Sequence, residues 1–177
     1  RPPRSTLFPY TTLFRSLENI MVARHYRMKA SILCSVLRLP LYKSEEEETE
    51  EKAKEYAAIF GLSDVLNTPA GALPYGRQRR VEIARALVTE PKLLLLDEPA
   101  AGMNSKEALE LLDLIKKIAE SFKLTILLIE HQMPVVMGVA ERIHVLDFGR
   151  TIAVGTPKEI QNNPKVIEAY LGEGAKV

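Results

Sequence analysis

The sequence predicts an α/β fold in which parallel strands lie beside a helical subdomain. Two short apolar runs, Leu93–Asp97 and Thr125–Glu130, are separated by a segment with helical spacing of its apolar residues. Strands buried in a parallel sheet read as continuous apolar runs, and the helix between them supplies the right-handed crossover. Because roughly the first 75 residues contain only helical or irregular patterns, we expect them to form a lobe beside the sheet.

Length and composition limit the class of protein. The chain has 177 residues, enough for one domain with a small subdomain, and its content of 46% hydrophobic and 27% charged residues is typical of a soluble globular protein. A net charge of +1 gives no electrostatic reason to expect nucleic acid as a partner. No apolar run reaches the ~20 residues of a membrane span, and no signal-peptide pattern opens the chain. The single cysteine, Cys34, excludes a disulfide framework, so we expect a cytoplasmic location.

Residues 1–16 differ from the rest of the chain. They contain three prolines, lack a helical period and nearly repeat themselves in Thr6–Phe8 and Thr12–Phe14. We therefore expect this segment to be foreign to the fold. The native upstream coding sequence would test this hypothesis.

The helical subdomain is predicted to contain three main helices. The first runs from Leu17 to the Leu-Pro pair at 39–40, since a residue before proline is disfavoured in a helix. The second opens at Ser44, which forms a capping box with Glu47, and ends at Gly61. The third follows a loop-rich stretch and runs over about 77–89. The expected buried face of the second helix comprises Ala53, Tyr56, Ala57 and Phe60.

The remaining elements complete the α/β part. Asn104 is expected to start a helix with Glu107 as its capping partner. Gly149 favours a hairpin between strands at 142–146 and 151–154. Short terminal helices are expected at 157–161 and 164–171. We accordingly divide the chain into an unassigned segment 1–16, a helical subdomain 17–90, a partial α/β core 91–156 and C-terminal helices 157–177.

Polar side chains follow both predicted parallel strands. Asp97 and Glu98 end the first strand and His131 follows the second. Open α/β sheets bind ligands at the carboxyl ends of their strands, and an ATPase uses carboxylates there to hold a metal and orient a water. The alternative is a buried strand that merely leads into an acidic turn, with His131 an ordinary polar residue, as we expect His25 and His144 to be.

A glycine-containing turn at Leu73–Arg80 precedes the third helix. The free N–H groups of a helix N-terminus attract anions, and Gly76 allows close approach of the backbone to a phosphate. The arginines of this turn could suggest nucleic acid, but charge on a solvated helix surface explains them in a nearly neutral chain.

In order and spacing, these motifs resemble the ATPase domain of ABC transporters. The turn at 73–80 resembles that family's signature motif, Leu93–Glu98 its Walker B motif with the catalytic glutamate, Pro99–Asn104 its D-loop and His131 its switch histidine. The resemblance covers residues 17–177. In its tail it is closest to the ATPase subunits of branched-chain amino acid importers.

The resemblance implies a role for each site residue. Asp97 would hold Mg²⁺ through water, Glu98 would orient or deprotonate the attacking water, and His131 would donate toward the γ-phosphate of ATP. The signature residues would contact the γ-phosphate of ATP held by a second copy, so the site would be composite and the ATPase a dimer. The signature and D-loop residues implied in nucleotide binding are Tyr75, Gly76, Arg77, Gln78 and Asn104.

The sequence also departs from the family pattern. Pro74, Arg77 and Asn104 stand where the family usually has Ser, Gln and Asp. No G-x-x-x-x-G-K-[ST] motif, the phosphate-binding P-loop, occurs in the sequence, and the Gln-bearing loop is missing too. The chain thus resembles the carboxy-terminal two-thirds of such an ATPase. We expect a gap or an exposed apolar edge between the strands at 125–130 and 143–146.

These features predict the ATP-hydrolysing subunit of an ABC importer, most closely for branched-chain amino acids. Its partners would be a second ATPase subunit, transmembrane permease subunits that contact the face built from residues 17–75 and, indirectly, a substrate-binding protein, but no nucleic acid. The location would be cytoplasmic, peripheral on the inner face of the membrane. The alternatives are a non-transport ABC ATPase acting on DNA or ribosomes, which would be expected to carry long heptad arms or a second ATPase copy, and a catalytically inactive remnant.

Overall fold

The computed structural model describes residues 13–28, 34, 37 and 39–171. The helices are α1 Ser16–Arg24, α2 Pro40–Ile59, α3 Tyr75–Leu87, α4 Ser105–Phe122, α5 Met133–Val139, α6 Pro157–Gln161 and α7 Pro164–Leu171. The strands are β1 Leu93–Asp97, β2 Thr125–Ile129, β3 Ile143–Asp147 and β4 Arg150–Gly155. Short 3₁₀ turns lie at His25–Arg27, Ser63–Val65 and Ala70–Ala72. This mixture of helices with parallel strands confirms the predicted α/β class.

The parallel pairing of β1 with β2 organises the α/β part. The register runs from Leu93 opposite Thr125 to Asp97 opposite Ile129. α4 connects the two strands and packs its apolar stripe, which includes Leu111 and Ile115, into the main core. The crossover therefore buries the helix and brings both strand ends to the same edge.

The described strands form two separate sheets rather than one. β3 pairs with β4 in an antiparallel hairpin and has no ladder to β2. The alternation of strands and helices over 93–147 predicts one parallel sheet, and the resemblance to the ABC ATPase family predicts a gap in it between β2 and β3. The gap is confirmed, because no ladder among the described residues joins β3 to β2. Each of the four strands therefore has a ladder on one side only, and no described strand lies between β2 and β3.

One face of the β1–β2 sheet is exposed. Leu94 and Leu96 are buried, at 5% and 9% exposure, but Leu95 is 65% exposed and Leu127 is 59% exposed. Leu93 and Ile129 lie on the same open face. The run of leucines predicts a strand buried on both faces, and this is wrong within the described chain, because the helices that pack on the sheet cover only its Leu94 and Leu96 side.

Two hydrophobic clusters stabilise the described residues. The larger unites α1, α2, α3, α4 and the buried side of the sheet through residues such as Ile20, Phe60 and Val81, which are fully buried. The smaller lies between the hairpin and the two last helices, around Ile143 and Ile160. The proposed division of the chain at residues 16, 90 and 156 stays a prediction.

Two helix boundaries differ from the predictions. α1 ends at Arg24, and Met28 is extended; residues 29–33, on which the predicted continuation falls, lie outside the described chain. α2 begins at Pro40, so Ser44 lies within the helix and is not its N-cap. Proline is favoured in the first turn because its fixed φ suits the helix and its missing N–H would have no partner there.

Other local predictions are confirmed. Gly61 follows α2 with φ of 65°, and Asn104 caps α4 in a box with Glu107. The β3–β4 hairpin turns through Gly149, whose φ is 77°. The apolar spacing of α4 also predicts that Phe122 is buried; this is wrong, because Phe122 is 43% exposed at the end of the helix, where its ring stacks on Tyr56 at 5.7 Å.

A buried arginine joins three helices of the subdomain. Arg24 of α1 contacts Glu48 of α2 at 2.9 Å and Glu90, just after α3, at 3.2 Å. Burial acts to raise the pKa of Glu90, but Arg24 and Arg27 outweigh it and hold this pKa below its usual value. A carboxylate with a lowered pKa stabilises the fold at neutral pH and loses that contribution as acid protonates it.

Within the residues described, helices long and apolar enough to cross a membrane are not found.

The exposed sheet face predicts self-association of the chain. Leu95→Lys should reduce it, because a charged side chain on an open apolar strand opposes edge-to-edge and face-to-face pairing. Light scattering and sedimentation velocity over a concentration series would measure the effect. The matched control is Leu109→Lys, since Leu109 is 51% exposed but lies on α4. An equal reduction by both variants would contradict a role for the sheet face.

Candidate functional site

The site is built at the carboxyl edge of the β1–β2 sheet. Because Asp97 lies opposite Ile129, the next residues of each chain segment leave the sheet side by side. The backbone N–H of Glu98 donates to the carbonyl of Ile129 at 2.9 Å, which extends the parallel pattern by one bond. Glu98 is thereby held beside Glu130 and His131, as predicted for residues that end neighbouring parallel strands.

Glu98 and His131 form a direct side-chain pair. His131 Nδ1 lies 3.1 Å from Glu98 Oε1, and the tautomer of the imidazole decides which atom donates. The Glu98 side chain is 48% exposed and that of His131 is 66% exposed. A carboxylate and an imidazole in contact at an open edge can together accept and donate protons to a ligand that arrives from solvent.

The backbone turn after β1 sets the direction of the Glu98 side chain. Its φ of 43° is in the left-handed region, which a residue other than glycine rarely adopts. The Ala101 N–H donates to the Glu98 carbonyl at 3.1 Å, and the Met103 N–H donates to the Ala100 carbonyl at 3.2 Å. The turn that carries Glu98 is therefore held by hydrogen bonds within residues 98–103.

Glu130 is a site residue that the sequence interpretation missed. Its Oε1 accepts a hydrogen bond from the backbone N–H of Ala100 at 3.1 Å. The available signal was its position, since an acidic residue directly before His131 ends the second apolar run much as Asp97 and Glu98 end the first.

The predicted signature residues form the first turn of α3. Pro74 is the N-cap, and its carbonyl accepts from the N–H of Arg77 at 2.9 Å. The Gln78 side chain donates to the Leu73 carbonyl at 2.7 Å, and Arg77 pairs with Asp64 at 2.6 Å. That hydrogen bond from Arg77 lowers the pKa of Asp64. The side chains of Arg77 and Gln78, two of the five residues predicted to contact nucleotide, thus already have partners within the chain.

Tyr75 joins the signature turn to the turn after β1. A Cβ atom placed on Gly102 would lie 3.3 Å from the Tyr75 ring, so the ring packs directly on this glycine. The Arg79 guanidinium lies over the Tyr75 ring at 5.4 Å from its centre, and its Nε donates to the Tyr75 hydroxyl at 3.1 Å. The structure therefore brings the two predicted motifs into contact.

The described residues give no steric reason for a glycine at position 76. A Cβ atom added there would meet no atom within 4 Å. It lies in the first turn of α3, where backbone N–H groups lack helical acceptors and can bind an anion. Open space at this glycine is compatible with close approach of a ligand or a second chain.

Asn104 acts as a helix cap in the structure. Its side-chain oxygen accepts from the N–H of Glu107 at 2.9 Å, and Glu107 reaches back to the Asn104 N–H at 3.3 Å. Its predicted contact with nucleotide stays a prediction.

Asp97 fits a magnesium ion held through water. It is exposed at the end of β1, next to the Glu98 carboxylate. No group of three or more acidic, histidine or cysteine side chains that could hold a metal occurs among the described residues. Mg²⁺ commonly keeps several waters and takes one or two carboxylates together with substrate phosphates, so a single aspartate at this edge suits it.

Comparison with known proteins identifies the family. The family described as "ABC transporter" matches residues 4–101, more than half of the 177 residues. The chain belongs to the ABC transporter family. A second family, described as "Branched-chain amino acid ATP-binding cassette transporter", matches residues 150–176. The first match begins within segment 1–16, and the hypothesis that this segment is foreign to the fold stays a prediction.

Several curated ABC transporter proteins are similar over most of the chain. The high-affinity branched-chain amino acid transport ATP-binding protein LivG of Salmonella typhimurium is 46% identical over 169 residues, which is 94% of this chain and 66% of that protein. The corresponding protein BraF of Pseudomonas aeruginosa is 42% identical with the same coverage. The chain therefore spans slightly less than two thirds of the length of these relatives.

Solved ABC transporter structures share the fold. A crystal structure of the ADP conformation of MJ1267, an ATP-binding cassette of an ABC transporter, superposes with a TM-score of 0.74 at 31% identity and covers 93% of this chain and 65% of that one. A nucleotide-free ATP-binding cassette from an ABC transporter gives a TM-score of 0.70 at 33% identity, with the same coverage. The predicted resemblance to an ABC ATPase is confirmed at the level of family and fold.

Two glycine substitutions should have opposite effects on stability. Gly102→Ala should lower the free energy of unfolding by about 1–2 kcal/mol, because φ is 77° there and the new methyl group meets the Tyr75 ring. Gly76→Ala should raise it by up to about 1 kcal/mol, since alanine favours helix and the space is open. Urea unfolding of both variants measures the difference. A destabilised Gly76→Ala variant would contradict the open environment of this position.

Proposed function

We propose that this chain is part of the ATP-binding and ATP-hydrolysing subunit of an import transporter, most closely one for branched-chain amino acids. The observation that carries the proposal is the Glu98–His131 pair, 3.1 Å apart at the carboxyl ends of two neighbouring parallel strands. The similarity of the tail to the branched-chain family supports the choice of substrate class.

In this function, Glu98 accepts the proton of the attacking water or orients that water. Its carboxylate is half exposed and fixed by the turn after β1, so a water can reach it while its direction stays constant. His131 donates a hydrogen bond toward the γ-phosphate oxygens, where negative charge develops during phosphoryl transfer. The contact between the two side chains keeps the imidazole beside the reacting atoms.

Mg²⁺ would be held by Asp97 through water and would neutralise charge on the phosphates. Asp97 itself contributes an exposed carboxylate at the end of β1.

The signature turn would serve a nucleotide bound by a second ATPase subunit. Tyr75, Gly76, Arg77 and Gln78 occupy the N-terminal turn of α3, and the open space around Gly76 admits a phosphate. Asn104 would contribute from the D-loop. Contact of Tyr75 with Gly102 would let the two motifs move as a unit when the subunits approach each other.

The helical subdomain offers a surface for the permease partner. A groove of about 270 Å³ lies between α1 and α2, with Met21, Val22, Met28 and Tyr42 in its lining. Such an apolar groove suits a short amphipathic helix of a membrane subunit. Through this contact the ATPase would lie at the cytoplasmic face of the membrane, with the substrate-binding protein as an indirect partner.

The rival function as a non-transport ABC ATPase has less support. It would be expected to show long heptad arms or a second ATPase copy, whereas the last part of this chain matches a transporter family. The other alternative, a catalytically inactive remnant, is favoured by one observation, the absence of the P-loop motif from the sequence.

Glu98→Gln tests the catalytic role in the full-length subunit assembled with its permease. The amide keeps the size of the side chain but cannot accept the proton, so ATP turnover should fall by a factor of about 100 or more while ATP stays bound. Phosphate release and retention of labelled ATP measure the two effects. Glu51→Gln is the matched control, since Glu51 is exposed on α2. Turnover equal to that of the unsubstituted protein would remove Glu98 from its role.

The 177-residue chain by itself should not bind ATP at millimolar concentration. The P-loop supplies most of the N–H groups and the lysine that hold the phosphates, and its motif is absent from this sequence. Isothermal titration calorimetry with and without Mg²⁺ measures binding, with a full-length relative as the positive control. A saturable, Mg²⁺-dependent titration of the chain would overturn the expectation.

A further inference from the structure

The two carboxylate oxygens of Glu130 differ in their hydrogen bonding. Its Oε1 accepts from the Ala100 N–H at 3.1 Å, but its Oε2 is buried and has no hydrogen-bond partner among the residues that the structure describes. A buried polar atom without a partner destabilises a fold, because it has lost its hydrogen bonds to water. Such groups in native proteins are uncommon and call for an explanation other than stability.

The backbone N–H of Ala100, which donates to Glu130, needs an acceptor inside the protein. Ala100 is fully buried, so its N–H must be satisfied within the protein. The other bonds of this turn are backbone bonds made by Glu98, Ala101 and Met103. Glu130 supplies the side-chain bond of the set, and it does so from the neighbouring strand end.

The hydrogen bond between Ala100 and Glu130 lies close to Glu98, whose backbone conformation is uncommon. Ala100 lies two residues after Glu98, whose φ is 43°. Glu98 is held to Ile129 through its N–H, and Ala100 is held to Glu130 through its N–H. Two consecutive residues of the β2 end thus fix the turn at two points, which leaves the direction of the Glu98 side chain little freedom.

We infer that Glu130 is a positioning residue for Glu98: by accepting the Ala100 N–H, it holds the turn after β1 in the conformation that keeps the Glu98 carboxylate beside His131. Glu130 acts through the backbone and does not touch the reacting atoms. The inference rests on the proposed function for its catalytic consequence. The hydrogen bond itself stands independently of that function.

The first experiment examines the bond in the 177-residue chain. In proton–nitrogen correlation spectra, Glu130→Ala should move the Ala100 amide proton upfield, because the N–H loses a charged acceptor. Glu130→Gln should largely preserve its position, since the amide oxygen can accept the same bond. Glu51→Ala on exposed α2 should leave it unchanged. An Ala100 resonance that does not respond to Glu130→Ala would overturn the inference.

The second experiment measures the consequence for turnover in the full-length subunit with its permease. Glu130→Ala should lower kcat by about tenfold to a hundredfold with KM for ATP unchanged, because a small misplacement of a catalytic group costs rate rather than binding. Glu130→Gln should restore most of kcat. Equal loss in both variants, or no loss in Glu130→Ala, would overturn the positioning role.

The two experiments separate the inference from the function on which it rests. If the unsubstituted full-length protein hydrolyses no ATP, the proposed function fails and the catalytic part of the inference fails with it. The Ala100 resonance would still show whether Glu130 holds the turn. If turnover is present but insensitive to Glu130, the function stands and the positioning role is wrong.

Discussion

The register between β1 and β2 is the constraint on which the site depends. Asp97 lies opposite Ile129, and this single alignment places Glu98 beside Glu130 and His131. If β1 shifted by one residue relative to β2, its side chains would move to the opposite faces of the sheet. The exposed neighbours of Leu94 and Leu96 would then replace these two residues in the core. The packing of the strands against α4 therefore selects the register, and the register in turn brings residues that are more than 30 positions apart into hydrogen-bonding distance.

Tyr75 links the helical part of the described chain to this edge. Tyr75 lies at the start of α3 and rests on Gly102, while Arg79 covers its ring from the next turn. The helices are held to one another and to the buried side of the β1–β2 sheet by a large apolar cluster, and Arg24 joins α1 to α2 and to Glu90 just after α3. Packed side chains thus connect the helices to the turn that carries Glu98.

Much of this arrangement follows from local rules in the sequence. The two apolar runs, the Asn104 cap and the hairpin at Gly149 were all predictable, and so was the position of Glu98 and His131 at the ends of neighbouring strands, but their direct contact was not predicted. The prediction that β1 is buried on both faces was wrong. A run of leucines shows that a strand can be buried on both faces, but it does not show which elements pack against it. Pro40 misled in a similar way, since proline can begin a helix as readily as it prevents one from continuing.

The cap at Asn104 has a consequence for how this position can vary. Asparagine and aspartate are both strong N-cap residues, and each can accept the N–H of Glu107. Exchange of one for the other leaves the start of α4 as it is and changes only the electric charge presented beside the turn after β1. The scaffold thus provides a position where the charge beside the turn after β1 can be changed at nearly constant stability of the fold.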